Sequence, residues 1–433
     1  MGGYDRHPPI SSRKQTEVFM NIAYYCHYFK PEIGAPSARI YDLSRQWVAL
    51  GHSVQVVTCF PNHPTGQVYP GYEPGTYMHE KIDGIDVHRH WTYITPNKGF
   101  VKKSLGHLSF LAGASLFSNR KVKRPDIVIG SSPTFFAAAA ASNLSRKYKI
   151  PFIMEVRDLW PAIFVELGVI RDPRIIWLLE KWEMSLYRRA ARVVTVTESF
   201  RTRLIERGVP SSKVATIYNG ADTDFWVPAE ESGQLRARLG LTDKFVVLYI
   251  GAHGISHALG RVLQAAEILK DRTDIEFVFV GEGAEKDALV RRAQENGLTN
   301  VQFSDPVSRE GVQEYYAMAN VCLVPLRDIP LFGTFIPSKM FEMMAMGRPI
   351  VASVRGESAE ILRQSGAATV VEPEDSAAIA RSILDLQSNK DRSDQMGARG
   401  RSFVVQHFSR KSLAEKYITV LNEAMNEHAR SAR

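Results

Sequence analysis

Residues 18–60 read VFMNIAYYCHYF-KPEIGAPS-ARIYDLSRQWVAL-GH-SVQVVTCF. The first part is β-branched and aromatic, which predicts a strand over 18–29. A tight segment holding Pro31, Gly34 and Pro36 leads into a helix that runs through Leu50. Gly51-His52 then turns the chain into a second strand over 53–60. Strand, helix and strand in that order form the repeating unit of a parallel sheet, whose neighbouring strands need a long crossover between them. The stretch therefore predicts an α/β fold.

Working outward, the alternation continues. Strands are predicted over 126–132, 151–158 and 192–197, with helices over 134–147 and 172–190 between them. Runs such as Ile127-Val128-Ile129 are apolar without alternation, as in a sheet covered on both faces. The pattern breaks at Asn219-Gly220-Ala221-Asp222, and the polar stretch up to Asp243 reads as a connection. A second series follows, with strands over 245–251, 276–280, 301–304, 321–326, 350–354 and 368–371. The expected architecture is two doubly wound, Rossmann-like parallel-sheet domains facing across a cleft, 18–219 and 220–408. Residues 1–17, polar and without a signal-peptide core, are expected as a mobile N-terminal arm. Residues 409–433 are expected as an amphipathic C-terminal helix, packing back toward the N-terminal domain. Ligands bind such sheets beyond the carboxyl ends of the strands, so the site is expected in the cleft.

Length agrees, since 433 residues exceed one ordinary core. Lys and Arg outnumber Asp and Glu by 54 to 46, a net charge of +8 that favours anionic partners. Cys26, Cys59 and Cys322 are unclustered and each lies in an apolar run, which predicts buried thiols in a reducing compartment. No apolar run approaches the length of a membrane span. No His, Cys and carboxylate cluster has metal-ligand spacing, so no metal is expected.

The stretch 337–349, PSKMFEMMAMGRP, reads as a short helix between turns. Pro337 suits a first helical turn, Ser338 can serve the free amides, and Gly347 followed by Pro349 is a stop signal. Lys339 and Glu342 are three apart and share a face. A lysine at a helix start attracts phosphate, and a carboxylate one turn deeper can accept from two adjacent ribose hydroxyls. That describes a sugar-nucleotide pocket; an amphipathic helix with a solvated Lys–Glu pair reads equally well from spacing alone.

Other motifs narrow the chemistry. Gly281-Glu282-Gly283 follows a strand, but Lys286 occupies the place of a third glycine, which argues against dinucleotide binding and for a tight turn near the cleft. Asp222-Thr223-Asp224 reads as a turn rather than a metal-holding pair. Arg157-Asp158 closes a buried strand at its cleft end, either as functional charges or as a capping pair. Residues 97–124 carry Phe100, Leu105, Leu108, Phe110, Leu111, Leu116 and Phe117 between basic ends. That stretch is either an interfacial helix touching anionic membrane or a domain helix with solvated ends.

Taken together, Gly34, Gly51-His52, Asn219-Gly220-Ala221-Asp222 with Phe225, Gly281-Glu282-Gly283 and the 342–349 stretch resemble the retaining glycosyltransferases of family 4, which have the GT-B fold. Phe60-Pro61-Asn62-His63-Pro64-Thr65-Gly66, Arg157-Asp158-Leu159-Trp160-Pro161 and Pro337-Ser338-Lys339 are most similar to the branch of fucosamine transferases from bacterial surface-polysaccharide clusters. The resemblance implies a cytoplasmic enzyme, at the inner face of the cytoplasmic membrane. It would move a sugar, such as an N-acetylated amino sugar, from a UDP-linked donor to a glycan or lipid-linked acceptor. The donor would lie in the C-terminal domain and the acceptor in the N-terminal one, with retained configuration, no required metal or other cofactor, and no nucleic-acid partner.

On this chain, the implied catalytic residues are Lys339, Arg157 and Asp158. The implied donor-binding residues are Ser338, Lys339, Glu342, Arg327, Gly333, Thr334, Phe335, Glu282, His253, Gly254 and Gly34. The chain departs from the family at Thr334, where the first of two glutamates seven residues apart usually stands; amides of 333–335 would substitute. It also has Arg157 where a histidine is common. Gly251-Ala252-His253-Gly254 lacks the usual basic pair, so Lys339 and Arg327 would neutralise the diphosphate. Alternatives are a sugar-nucleotide 2-epimerase using Glu155, Asp158 and Glu282, or a non-catalytic sugar-nucleotide-binding scaffold.

Overall fold

A computed structural model describes residues 19–431, apart from 33, 64, 74, 96–99, 133–134, 167 and 230–232. The expected arm at 1–17 lies outside them, as do the side chains of Lys98, Phe100, Lys102 and Lys103.

The first sheet has eight strands: β1 (Asn21–Tyr25), β2 (Ser53–Cys59), β3 (Tyr77–Ile82), β4 (Ile85–His90), β5 (Ile127–Ser131), β6 (Phe152–Val156), β7 (Arg192–Thr195) and β8 (Val214–Thr216). Their order is β3-β4-β2-β1-β5-β6-β7-β8, with every pair parallel except β3 and β4. The second has six parallel strands: β9 (Phe245–Ile250), β10 (Ile275–Val280), β11 (Val301–Ser304), β12 (Val321–Pro325), β13 (Ile350–Ser353) and β14 (Ala368–Val371). Their order is β11-β10-β9-β12-β13-β14. Strands β5, β6, β10, β12 and β13 are buried along their whole length, because helices cover both faces.

The sequence reading did not include the β3–β4 hairpin. Its turn is Asp83-Gly84, both with positive φ, the backbone that a two-residue hairpin loop requires. It sits at the edge of the sheet, where alternating polar residues replace the apolar runs that mark the central strands.

The final helix, Arg410–Ser431, leaves the second lobe and lies against helix Ala35–Ala49 of the first. Trp47 Nε1 donates to Ala414 O at 3.1 Å, and the Trp47 and Tyr417 rings meet edge-on at 5.3 Å. The chain thus passes between lobes twice, and the two passages touch. Ala221 N donates to Phe408 O at 3.0 Å and Arg410 N to Ala221 O at 2.7 Å. Gly220 has φ +58°, and a Cβ there would stand 2.3 Å from Phe408 O, so only glycine fits.

Candidate functional site

The carboxyl ends of β9, β10 and β12 and the helix Lys339–Ala345 meet at the cleft edge of the second lobe. Gly281 lets the exits of β9 and β10 press together, since a Cβ there would stand 2.0 Å from Gly251 O. Lys339 reaches across this edge. Its Nζ lies 3.8 Å from the centre of the Tyr249 ring and donates to Ile250 O at 3.4 Å. Among the described residues no carboxylate lies within ion-pair distance of it. Burial disfavours the ammonium and lowers its pKa to about 7, partly opposed by Glu342. Glu342, on the same helix, accepts from Tyr316 Oη at 3.3 Å. Burial pushes its carboxyl up to about 7, against the pull of Arg410 and Arg309. Two groups of opposite sign are therefore both held near the neutral range.

The helix differs from the sequence reading at its start. It begins at Lys339, and Ser338 already has αR backbone and makes no capping bond. Ser338 Oγ instead accepts from Asn219 Nδ2 at 2.7 Å, bridging the lobes. With only seven residues the helix has a small dipole, so the ammonium dominates attraction for an anion.

The remaining predicted residues divide. His253 is fully buried beside Tyr249 and Lys339, with neither ring nitrogen hydrogen-bonded among the described residues. Burial lowers its pKa to about 4. Gly254 ends the same loop. Glu282 is exposed and pairs with Lys286 at 3.2 Å. Arg327 is exposed and faces Glu374 at 4.0 Å, near Arg261. Thr334 Oγ1 donates to Leu331 O at 2.6 Å. Gly333 O packs against Gly356. The Phe335 amide is used on Phe332 O, and its ring meets Phe200 of the first lobe at 5.3 Å. Phe335 therefore serves the lobe contact, and its amide has no free proton for a ligand.

On the facing lobe, Gly34 opens the helix after β1. Arg157 Nη1 donates to Pro36 O at 3.0 Å, so it ties the β6 exit to that same loop. The Asp158 carboxyl is half-buried, and its pKa is raised by burial to about 6, with Arg157 pulling down. Glu155 is wholly buried, paired with Arg39 at 3.0 Å and bonded by Tyr24 and Ser131. That occupies one of the carboxylates the epimerase alternative needs.

Sequence reasoning missed Tyr249, Tyr316 and Glu357. Glu357 accepts from the amides of Glu198 and Ser199 at 2.8 and 2.7 Å and from Tyr218 Oη at 2.9 Å, a strut between lobes. Its one signal was an acid after Gly356, directly at a helix start. Asp222 is buried between Arg45 at 2.7 Å and Arg309 at 3.5 Å. Among the described residues no group of three or more His, Cys, Asp or Glu is placed to hold a metal ion. No helix among them is long and apolar enough to cross a membrane.

Two facing α/β lobes with a cationic cleft edge define the GT-B architecture, and comparison with known proteins agrees. Residues 34–220 match the family described as Glycosyl transferase 4-like domain, and residues 244–389 match Glycosyl transferases group 1. The chain belongs to the glycosyltransferases of this two-domain type. It is similar to WcaI of Escherichia coli, named as a colanic acid biosynthesis glycosyl transferase, with 28% identity over 84% of this chain and 91% of that one. WbjE of Pseudomonas aeruginosa, named as a glycosyltransferase, is 24% identical over 74% and 79% of the two chains. Among solved structures, Anabaena HepE in complex with UDP-glucose superimposes with a TM-score of 0.70 at 16% identity, covering 93% of this chain and 100% of that one. Sucrose-phosphate synthase from Thermosynechococcus elongatus gives 0.70 at 19% identity, covering 94% and 99%.

Proposed function

We propose that the protein transfers a sugar from a UDP-linked donor, with retained anomeric configuration, to a lipid-linked acceptor in surface-polysaccharide synthesis. The observation that carries this is Lys339, a cation with no carboxylate within ion-pair distance among the described residues, held over Tyr249 one helical turn from Glu342 at the cleft edge. As the glycosidic bond breaks, negative charge grows on the leaving diphosphate. An ammonium fixed at that position stabilises the later state more than the earlier, which is the condition for catalysis. Glu342 would hold the ribose hydroxyls. Asp158, across the cleft with a raised pKa, would face the acceptor. Because Lys339 supplies the positive charge, no metal is required. An N-acetylated amino sugar as the transferred group and a place among the fucosamine-transferring branch rest on the sequence resemblance, as does retention. The complexes of HepE with UDP and UDP-glucose support a uridine nucleotide.

The test is thermal stabilisation by UDP and a panel of UDP-sugars in the presence of a chelator, since a ligand of the folded state raises its melting temperature. Stabilisation by UDP that Lys339→Met removes is the expected result. No shift with any nucleoside diphosphate would sink the reading. The anomeric configuration of the product, read by NMR, tests retention.

A further inference from the structure

The first lobe has a groove of its own, beyond the carboxyl ends of three adjacent strands, β4, β2 and β1. His27 and Tyr28 follow β1, Asn62 and His63 follow β2, and Tyr93 and Thr95 follow β4. The helix Phe100–Leu116 closes the remaining side. Gly106 lets that helix press on the loop after β4, since a Cβ there would stand 2.9 Å from Tyr93 O. Glu32 fixes the shape from beneath. Its buried carboxylate accepts from the amides of Phe29, Asn62 and His63 at 3.0, 2.8 and 2.9 Å, which ties the exits of β1 and β2 together.

Two features say what this groove takes. The first is charge: among the described residues no Lys, Arg, Asp or Glu lines it. A carboxylate or phosphate seated there would lose water without gaining an ion pair, which is costly. The polar groups on offer are neutral. Tyr28 Oη, Asn62 Oδ1 and Thr95 Oγ1 make no hydrogen bond to other described residues. Asn62 Nδ2 is committed to Phe60 O at 2.8 Å, so the amide presents its oxygen as an acceptor. Ligand hydroxyls, each both donor and acceptor, match such a set. The second feature is the ring faces. The Tyr28 and His63 rings lie 4.9 Å apart and those of His27 and His107 4.6 Å, while Tyr93 at the border is 43% exposed. The enclosed part is only about 30 Å³, so a ligand lies against these rings rather than inside the groove. A pyranose has that form: a flat face of C–H groups to pack on a ring, and a rim of hydroxyls.

We propose that this groove holds the receiving sugar of the acceptor, and that this sugar is uncharged: a hexose, deoxyhexose or N-acetylhexosamine that bears neither carboxylate nor phosphate. Binding of a neutral sugar follows from the groove alone. Only its identity as the acceptor end rests on the proposed sugar transfer.

The experiment is saturation-transfer NMR of the full chain with the methyl glycosides of glucose, galactose, fucose and N-acetylglucosamine, and with methyl glucuronide as the anionic probe. At least one neutral glycoside is expected to take up saturation, and methyl glucuronide to bind about tenfold more weakly or not at all. Tyr28→Phe combined with Asn62→Leu removes two hydrogen-bonding groups and is expected to weaken the neutral glycoside by about tenfold. If that double variant loses thermal stability, Thr95→Val at a half-buried position gives the same reading, with a loss of about threefold. No transfer to any neutral glycoside, equal binding of methyl glucuronide, or folded variants that bind like the parent would overturn the proposal. So would a signal that UDP abolishes and the groove variants retain, since the sugar then sits in the donor cleft. Thermal stabilisation of the parent by UDP reports the donor reading separately. If it is absent while neutral glycosides still bind in the groove, the transfer reading fails and the sugar site stands.

Discussion

Lys339 is held between two opposing effects, burial that favours the neutral amine and the proposed diphosphate contact, which needs the ammonium. Replacing it by methionine keeps its length and removes the charge, and is expected to lower turnover by about a hundredfold or more, as for loss of an electrostatic stabiliser. Steady-state transfer of radiolabelled sugar checks this. The lowered pKa of about 7 adds a second expectation with a definite sign. If diphosphate binds the protonated form, as proposed, binding above about pH 7 must take up a proton. The affinity for UDP is then expected to fall as pH rises, approaching about tenfold per unit, and Lys339→Met is expected to lose that fall and keep only the titration of Glu342, whose carboxyl is raised to about 7. Calorimetric titration in two buffers of different ionisation enthalpy measures that proton directly. Lys339 and Glu342 were legible in the sequence because their spacing is local. Their supporting residues were not: Lys339 meets Ile250 across 89 positions and Glu342 meets Tyr316 across 26, and no local pattern records such pairings.

At the scale of elements, the strut from Glu357 joins the start of one helix, Glu357–Ser365, to the start of another, Glu198–Glu206. One carboxylate satisfies two amides that would otherwise lack partners at a helix start. Glu357→Ala is expected to cost about 1–3 kcal/mol in denaturant unfolding and to widen the spread of lobe orientations seen by small-angle scattering. An unchanged profile in both measurements would remove the strut from the account. The strands show why some elements could be read and others not. Central ones such as Ile127–Ser131 are covered on both faces and so are written as continuous apolar runs. The edge strand Tyr77–Ile82 alternates with charge and was passed over, although Asp83-Gly84 marked its turn. Ser338 was read as a cap because its residue type suits one; only the neighbouring lobe, through Asn219, explains why its hydroxyl is used elsewhere.

The whole molecule depends on the paired passages at 220–222 and 408–410. Gly220→Ala would place a methyl against Phe408 O in a backbone region that favours glycine, and is expected to destabilise by about 1–3 kcal/mol. Thermal unfolding measures it. The larger effect belongs to Trp47, buried under the helix Arg410–Ser431. Trp47→Ala is expected to cost about 3–5 kcal/mol and to expose the last helix to limited proteolysis, detected by mass spectrometry of the released fragment. The contact of Trp47 with Ala414 and Tyr417 also sets an order of events during synthesis. The first lobe leaves the ribosome early, yet its flank at Trp47 stays open until the helix Arg410–Ser431 has been translated. The half made first is thus completed only after the second lobe, and until then Trp47 lacks the cover of Ala414 and Tyr417.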